Sequence, residues 1–150
     1  MARAPLIDES PSHLLHRAGQ CADSLFEAQV KDSNLTPRQL AVLIAVARSE
    51  GPNQTELVER TGIDRSTLSD VVRRLQGRRL LQRRRTKEDA RAFSVRLTDE
   101  GRRALRKVEP IARRIDERVL AALTNQQRRQ LVAALQKIVG SVRTGSPKAD

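Results

Sequence analysis

The chain has 150 residues, enough for one domain with appended helices, and a net charge of +11 that indicates a polyanionic partner, nucleic acid before membrane. Its single cysteine excludes an internal disulfide and a structural zinc site built from thiols. The N-terminus lacks the apolar core of a signal peptide, and no run approaches the ~18 apolar residues of a membrane span. We therefore expect a cytoplasmic protein with a core of Leu, Val, Ala and Ile.

Two helices are predicted in the first third of the chain. Between about residues 12 and 30, apolar side chains recur at steps of three and four, as on one face of an amphipathic helix. Thr36, Pro37 and Gln39 form a capping pattern that begins a second helix, and its apolar run through Ala47 indicates burial on several sides.

A helix-turn-helix pattern follows. Asn53 with Glu56 repeats the capping pattern at the start of a short third helix. A turn containing Gly62 leads to Asp64, which is placed to cap a fourth helix that runs to about Gln76. Two helices joined by such a turn are typical of DNA-binding proteins, in which the second helix enters the major groove.

The period of the apolar residues then changes from that of a helix to that of a strand. Two short stretches, 80–85 and 92–97, flank a polar turn, and the second has an alternating inward set: Phe93, Val95 and Leu97. Residues 65–106 contain fourteen Lys or Arg and five Asp or Glu, so most of the positive surplus lies here. A basic hairpin directly after a helix-turn-helix predicts a winged helix.

Two further helices are predicted, from Thr98 to about Leu123 and from Asn125 to about Val142, with apolar stripes too long for the central module to bury. A second copy of the chain is the economical partner, so we expect a homodimer. The sequence thus predicts a mainly α fold with a small β-hairpin wing. Its parts are a tail and dimerisation helix (1–34), a winged helix-turn-helix (35–100), dimerisation helices (101–143) and a loose tail (144–150).

Residues 35–105 resemble the MarR (multiple antibiotic resistance regulator) family of transcription factors. The resemblance lies in LTPRQLAVL, GIDRSTLSDVVRRL, RRRTKEDARA and VRLTDEGR, and the flanking helices match the family's plan of interlocked subunits. It implies a repressor that binds a pseudo-palindromic operator as a homodimer and is released by a small anionic or aromatic effector. In the family an arginine of the wing lies in the minor groove and an aspartate supports it, which implies these roles for Arg91 and Asp89.

The helix-turn-helix also indicates which side chains meet DNA. Residues in the N-terminal half of the recognition helix reach base edges, and the front of the supporting helix can bind a phosphate. The predicted contacts are Arg65, Ser66, Thr67, Ser69, Asp70, Arg73 and Arg74 on the recognition helix, Gln54 and Thr55 on the supporting helix, and Arg83, Arg84, Arg85, Lys87, Asp89 and Arg91 on the wing.

The sequence departs from the family where the recognition helix ends. The family usually has a G-L-[IL]-x-R pattern there, whereas this chain has Arg79 in place of the glycine and its glycine at Gly77. Two interpretations remain open: the helix ends a turn earlier, or Arg79 adopts an uncommon backbone conformation.

The resemblance implies an effector crevice between the first helix, the second helix and the start of the helix at Thr98. The aromatic and cationic groups available for it are Arg17, Phe26 and Arg38. We identify no nucleophile-base pairing, phosphate loop or paired carboxylates in a plausible site, so we expect no enzyme and no cofactor.

Cys21 is a redox candidate, because one branch of the family senses peroxides through a cysteine in the first helix. On an apolar stripe, however, a thiol also serves as a small buried hydrophobic group. His13 and His16 lie one turn apart but lack a third ligand, so we expect no metal. The alternatives to an effector-released repressor are a redox-sensing repressor acting through Cys21 and a non-catalytic architectural DNA-binding protein.

Overall fold

The computed structural model describes residues 7–86 and 93–144. Over these ranges it has six α-helices, two short 3₁₀ turns and an antiparallel two-stranded hairpin: α1 (Pro11–Gln29), α2 (Pro37–Ala47), α3 (Gln54–Thr61), α4 (Arg65–Gly77), β1 (Leu81–Arg85), β2 (Phe93–Leu97), α5 (Asp99–Val119) and α6 (Asn125–Thr144). The predicted fold class, mainly helical with a hairpin wing, is confirmed. Within the same ranges, none of the helices combines the length and apolarity that crossing a membrane needs.

The core of the first compact unit, Met1–Ile115, is built mainly from α2, α3, α4, the hairpin and the start of α5. Its most deeply buried large side chains are Val42, Leu43, Leu57, Leu68, Leu75 and Val108. Burying one side chain of this size stabilises the folded state by about 1.5–3 kcal/mol relative to leaving it exposed. The predicted inward stripe of α4 is confirmed, since Leu68, Val71, Val72 and Leu75 are all buried. Burial of that stripe turns the opposite face of α4 outward.

Side-chain caps fix where α2, α3 and α4 begin. Thr36 and Gln39 exchange hydrogen bonds between side chain and backbone at 3.1 and 3.2 Å, and Asn53 and Glu56 do so at 2.8 and 2.9 Å. The carboxylate of Asp64 accepts the backbone N–H of Thr67, the third residue of α4, at 2.9 Å. The pKa of the Asp64 carboxyl is lowered by the side chain of Thr67 and, next, by this backbone N–H. All three predicted caps are confirmed.

Helix α4 ends at a residue in the left-handed conformation. Arg79 has a φ of 59°, and the N–H groups of Arg79 and Leu80 donate to the carbonyls of Gln76 and Leu75, each at 2.9 Å. This pair of bonds is the Schellman motif, and the two leucines at its apolar-contact positions are both buried. The second interpretation of the helix end is therefore the one the structure shows: α4 reaches Gly77 and Arg79 adopts the uncommon conformation.

The hairpin pairs Leu81 with Leu97 at its base, and the N–H of Val95 donates to the carbonyl of Pro52 at 2.9 Å, which joins β2 to the loop before α3. Val95 and Leu97 point inward as predicted, but the prediction of an inward Phe93 is wrong. Its side chain is 43% exposed, and Ser94 is buried instead, against the backbone of the loop before α3.

Phe93 is exposed because it lies at the far end of the hairpin from this core. There its ring lies beneath the guanidinium of Arg85, 6.0 Å from the ring centroid.

Helix α5 begins in close contact with the end of α4. The N–H of Thr98 donates to the carbonyl of Leu80 at 3.1 Å, and the Thr98 hydroxyl donates to the carbonyl of Arg79 at 2.6 Å while accepting the N–H of Gly101 at 2.9 Å. A β-carbon at residue 101 would lie 2.0 Å from the Leu80 carbonyl oxygen. Only glycine fits this approach without moving the backbone.

The second compact unit, Asp116–Asp150, contains the end of α5 and helix α6. Thr124 and Gln127 exchange the predicted capping bonds at 2.9 and 3.3 Å. Helix α5 ends at Val119 and not near Leu123 as predicted, because residues 120–123 form the turn that brings Thr124 to this cap. Apolar side chains of α6 are uncovered within the chain: Val132, Ile138, Val139 and Val142.

The Schellman motif predicts that Arg79→Gly raises the free energy of unfolding by about 1 kcal/mol, because glycine has no β-carbon to oppose the left-handed conformation. Arg79→Ala removes the same charge but keeps the β-carbon, so we expect no such gain from it. Urea unfolding of the two variants and the wild type measures the difference. Equal stability of the Gly and Ala variants would show that Arg79 is not strained.

The contact between Gly101 and Leu80 predicts that Gly101→Ala lowers the free energy of unfolding by about 1–3 kcal/mol, the usual cost of overpacking. The control is Gly77→Ala, since a β-carbon at residue 77 meets no atom within 4 Å. That change stabilises an α-helix or leaves it unaffected. Thermal unfolding followed by circular dichroism compares the two, and an unchanged midpoint for Gly101→Ala would contradict the close approach.

Candidate nucleic-acid interface

The outer face of α4 carries all seven residues that the sequence predicts as recognition-helix contacts. Arg65, Ser66, Arg73 and Arg74 are exposed, and Thr67, Ser69 and Asp70 are partly exposed. When the apolar face of an amphipathic α-helix is buried, its polar face is turned to the outside and can contact a partner. The helix is therefore held with its short polar side chains and its arginines accessible.

Side chains of the supporting helix α3 bind the recognition helix directly. The Gln54 amide donates to the Ser69 hydroxyl and, at 3.4 Å, to the carbonyl of Arg65. A guanidinium nitrogen of Arg65 donates to the Thr55 hydroxyl at 3.1 Å. Gln54, Thr55, Arg65 and Ser69, four of the predicted contacts, thus form one hydrogen-bonded group that positions Arg65.

Asp70 is paired with both neighbouring arginines of α4. One carboxylate oxygen accepts from Nη2 of Arg73 and the other accepts from Nε of Arg74 at 2.8 Å. These pairs lower the pKa of the Asp70 carboxyl, with the Arg73 hydrogen bond as the largest cause. Exposed pairs of this kind contribute little to stability, so a phosphate or a base can replace either one. In the free protein Asp70 orients two guanidinium groups.

The first wing strand continues the basic surface beside α4. Arg83, Arg84 and Arg85 are exposed. A cleft of about 430 Å³ separates α4 from β1 and is lined by Ser66, Ser69, Asp70, Arg73, Gln76 and Arg83. The predicted wing residues Lys87, Asp89 and Arg91 lie outside the residues that the structure describes.

A second cavity, of about 280 Å³, adjoins this cleft, because Ser69 and Arg83 line both. Its other walls include the first turn of α3 and the exposed Phe93. The recognition helix, the supporting helix and the wing therefore meet around Ser69 and Arg83. The sequence reasoning missed Gln76 and Phe93, although an aromatic residue beside a basic turn, in a chain with only two, is a pattern that indicates such a place.

The three predicted effector residues differ in their surroundings. Phe26 is buried, whereas Arg17 and Arg38 are exposed. Arg38 lines a cleft of about 390 Å³ between α1, α2 and α4, together with Arg74. Their grouping into one effector site stays a prediction.

Another cleft, of about 520 Å³, lies between the end of α2, β2 and the start of α5, and it contains Arg96, Arg102 and Arg106. Two of the walls predicted for the effector crevice, α2 and the start of α5, enclose it. None of the predicted effector residues lines this cleft.

Cys21 is exposed in the single chain, so the interpretation of its thiol as a buried apolar group is wrong for the protomer by itself. The redox hypothesis stays a prediction. In the described parts of the chain, no group of three or more His, Cys, Asp or Glu side chains is placed to hold a metal ion.

The arrangement of α3, the turn, α4 and a basic hairpin defines a class: this is a winged helix-turn-helix DNA-binding protein. The family model described as MarR family matches residues 33–92. The HTH-type transcriptional repressor NicR of Pseudomonas putida is 34% identical to this chain over 136 residues, which make up 90% of this chain and 85% of NicR. The chain belongs to the MarR family and is a transcriptional repressor of that family.

Solved structures agree over almost the full length. The structure of Bordetella bronchiseptica BpsR, described as explaining the regulation of its DNA binding by 6-hydroxynicotinic acid, is 31% identical with a TM-score of 0.86 and covers 91% of this chain and 98% of BpsR. The Streptomyces coelicolor regulator PcaV, in complex with its natural ligand, is 32% identical with a TM-score of 0.86, covering 93% and 99%.

Proposed function

We propose that this protein represses transcription as a cytoplasmic homodimer that binds a pseudo-palindromic operator and is released by a small anionic or aromatic effector. The observation that carries the proposal is the meeting of α3, α4 and β1 around one basic cleft. A recognition helix in the major groove and a wing beside it need this arrangement.

The two parts of the surface are suited to different kinds of DNA contact. Ser66, Thr67 and Ser69 are short polar side chains in the N-terminal half of α4, where they can reach base edges. The exposed arginines of β1 are suited to phosphates, which fix position and carry little sequence information. For the wing we propose Arg91 in the minor groove and Asp89 as the group that orients it, as in the resembling family.

The dimer is proposed from the apolar side chains that each chain leaves uncovered. Leu14 and Leu15 on α1 are 47% and 42% exposed, and Val139 on α6 is 57% exposed. Large apolar side chains are usually exposed singly on a soluble monomer, whereas groups of them on amphipathic helices mark an interface. Two copies also match an operator with two related half-sites.

The effector is proposed because BpsR and PcaV are both described with small ligands, and BpsR with one that regulates DNA binding. Besides the cleft beside β1, two clefts in the described part of the chain have a size that holds small molecules and contain arginines. Guanidinium groups in such places favour a carboxylate ligand.

The separate roles of helix and wing predict different effects of mutation. Arg91→Ala should weaken binding to operator and random duplex alike and reduce the salt slope by about one, whereas Asp89→Ala should do the same more weakly. Replacing Ser66 or Ser69 by Ala should alter which half-site is preferred, by about 1–3 kcal/mol per lost good contact. Binding to operator, mutated operator and random duplex across a salt series measures both effects.

The control for charge is Arg48→Ala, which removes an exposed arginine from the end of α2. A change of sequence preference by Arg91→Ala, with none by the α4 variants, would reverse the assigned roles. Equal binding of the wild type to operator and scrambled duplexes would favour an architectural DNA-binding protein.

The uncovered face of α6 predicts that Val139→Asp shifts a homodimer of twice 16.8 kDa towards the monomer, because a carboxylate would be buried in the interface. Gln130→Asp is the control: it places the same side chain at an exposed position of α6 that does not line the groove around Val139. Light scattering at micromolar concentration gives the masses. A monomeric wild type would disprove the dimer.

A further inference from the structure

The side chain of Arg78 joins the end of the recognition helix to the connection between α1 and α2. Arg78 directly follows α4. Its Nη1 donates to the carbonyl of Asn34 at 2.7 Å, and its Nη2 donates to the carbonyl of Ser33 at 2.9 Å, across 44 and 45 residues of the chain. A planar guanidinium that donates two such bonds fixes direction as well as distance. These two bonds are called the Arg78 link below.

The segment that accepts the Arg78 link has a fixed local structure. The Ser33 hydroxyl donates to the carbonyl of Val30 at 2.9 Å, and the N–H of Asn34 donates to the carbonyl of Lys31 at 3.4 Å. Asn34 has a φ of 50°, a left-handed conformation that asparagine tolerates better than most residues. Val30 and Leu35, on either side of this turn, are buried. The two acceptor carbonyls therefore belong to a turn that is anchored in the core.

This turn lies between parts of the chain with different proposed tasks. Helix α1, which precedes it, carries the exposed Leu14 and Leu15 of the proposed dimer interface. Helix α4, on the other side of the Arg78 link, carries the proposed base contacts. Apolar packing, like that of Val30 and Leu35, attracts without a preferred direction, whereas a pair of hydrogen bonds has one. The Arg78 link thus adds a defined orientation between α1 and α4.

We infer that Arg78 is a positioning residue, which holds the recognition helix at a fixed orientation to α1 and thereby sets the half-site spacing that the dimer prefers. The inference rests on the proposed function and names a determinant of its specificity. One base pair more between two half-sites turns one of them by about 35° and moves it by about 3.4 Å. A dimer whose recognition helices cannot reorient then loses contacts at one half-site.

A direct contact between Arg78 and a DNA phosphate is the competing role, and lysine distinguishes the two. Arg78→Lys keeps the positive charge that a phosphate needs, but an ammonium lacks the planar fork that reaches both carbonyls. Arg79 is the matched control, because it is the next residue and is also exposed. Among the described residues, no hydrogen-bond or ion-pair partner belongs to its side chain.

The test compares binding of the full chain to three duplexes. The first is a pseudo-palindrome selected by the wild type from a random pool, and the others have one base pair inserted or removed at its centre. The spacing ratio is the dissociation constant for an altered duplex divided by that for the selected one. Arg78→Gln and Arg78→Lys should each lower this ratio about two- to tenfold, because the link can add no more to the penalty than its own strength. Arg79→Gln and Arg79→Lys should keep the wild-type ratio.

The other outcomes each have a distinct signature. A merely structural role would weaken binding to all three duplexes equally and leave the spacing ratio unchanged. A phosphate contact would leave Arg78→Lys like the wild type and reduce the salt slope of Arg78→Gln by about one. Either result would overturn the inference and leave the proposed function intact. A monomeric wild type, or one indifferent to spacing, would overturn the proposed dimer and the inference together.

The Arg78 link is also tested without DNA, by amide hydrogen exchange of the free protein. Loss of the link should let the turn at residues 30–35 open more often, so the N–H of Asn34 should exchange several-fold faster in Arg78→Lys. Arg79→Lys should leave that rate unchanged. Equal exchange in the wild type and both variants would show that Arg78 does not hold the turn, and would overturn the inference.

Discussion

The backbone of Leu80 fixes the position of the wing relative to the recognition helix. Its N–H closes the end of α4 on Leu75, and its carbonyl accepts the N–H of Thr98 at the start of α5. The chain enters β1 at the next residue, and Gly101 approaches the same carbonyl so closely that a side chain is excluded. The backbone of one residue thus sets the geometry of three elements. The placement of the basic wing strand beside α4, and with it the DNA-facing cleft, depends on this junction.

The charged groups of the interface are held by weaker interactions than the fold is. Arg65 is hydrogen-bonded to Thr55, and Arg73 and Arg74 share Asp70, all with exposed side chains. Exposed contacts of this kind contribute little stability and exchange readily with phosphate or water. A rigid junction therefore carries side chains whose partners can be exchanged, which is the combination that reversible DNA binding needs.

The features that the sequence predicts well are those with local causes. The capping pairs of α2 and α3 act within four residues, so their side chains identify the helix starts without any knowledge of the fold. Which residues of β2 face inward depends on a part of the chain that is distant in sequence. Alternation alone predicts a buried Phe93, whereas Ser94 is buried because the loop at Gly51 packs on it. The sequence has no glycine at residue 79, so it leaves open whether α4 ends early or Arg79 takes an uncommon conformation. The hydrogen bonds donated by residues 79 and 80 decide for the second alternative.

The candidate site divides in the same way. Residues of α4 are predictable because one helix with a known inner face has a known outer face. The clefts cannot be predicted in this way. The cleft at Arg38 brings together residues 23, 38 and 74 from three helices, and their separations in the chain follow no period. Phe26 illustrates the difference: composition makes it the available aromatic group for a ligand, but the fold buries it in the core.

The bond between Val95 and Pro52 has a consequence for the thermodynamics of binding. It ties the wing base to the loop before the supporting helix, so the helix-turn-helix and the base of the hairpin are already assembled before DNA arrives. Little backbone entropy at the wing base is then left to lose on binding. The loss falls on the long basic side chains, each of which carries about 2 kcal/mol of rotamer entropy. Asp70 and Thr55 restrict three of those arginines in advance, and so reduce the entropy that complex formation removes.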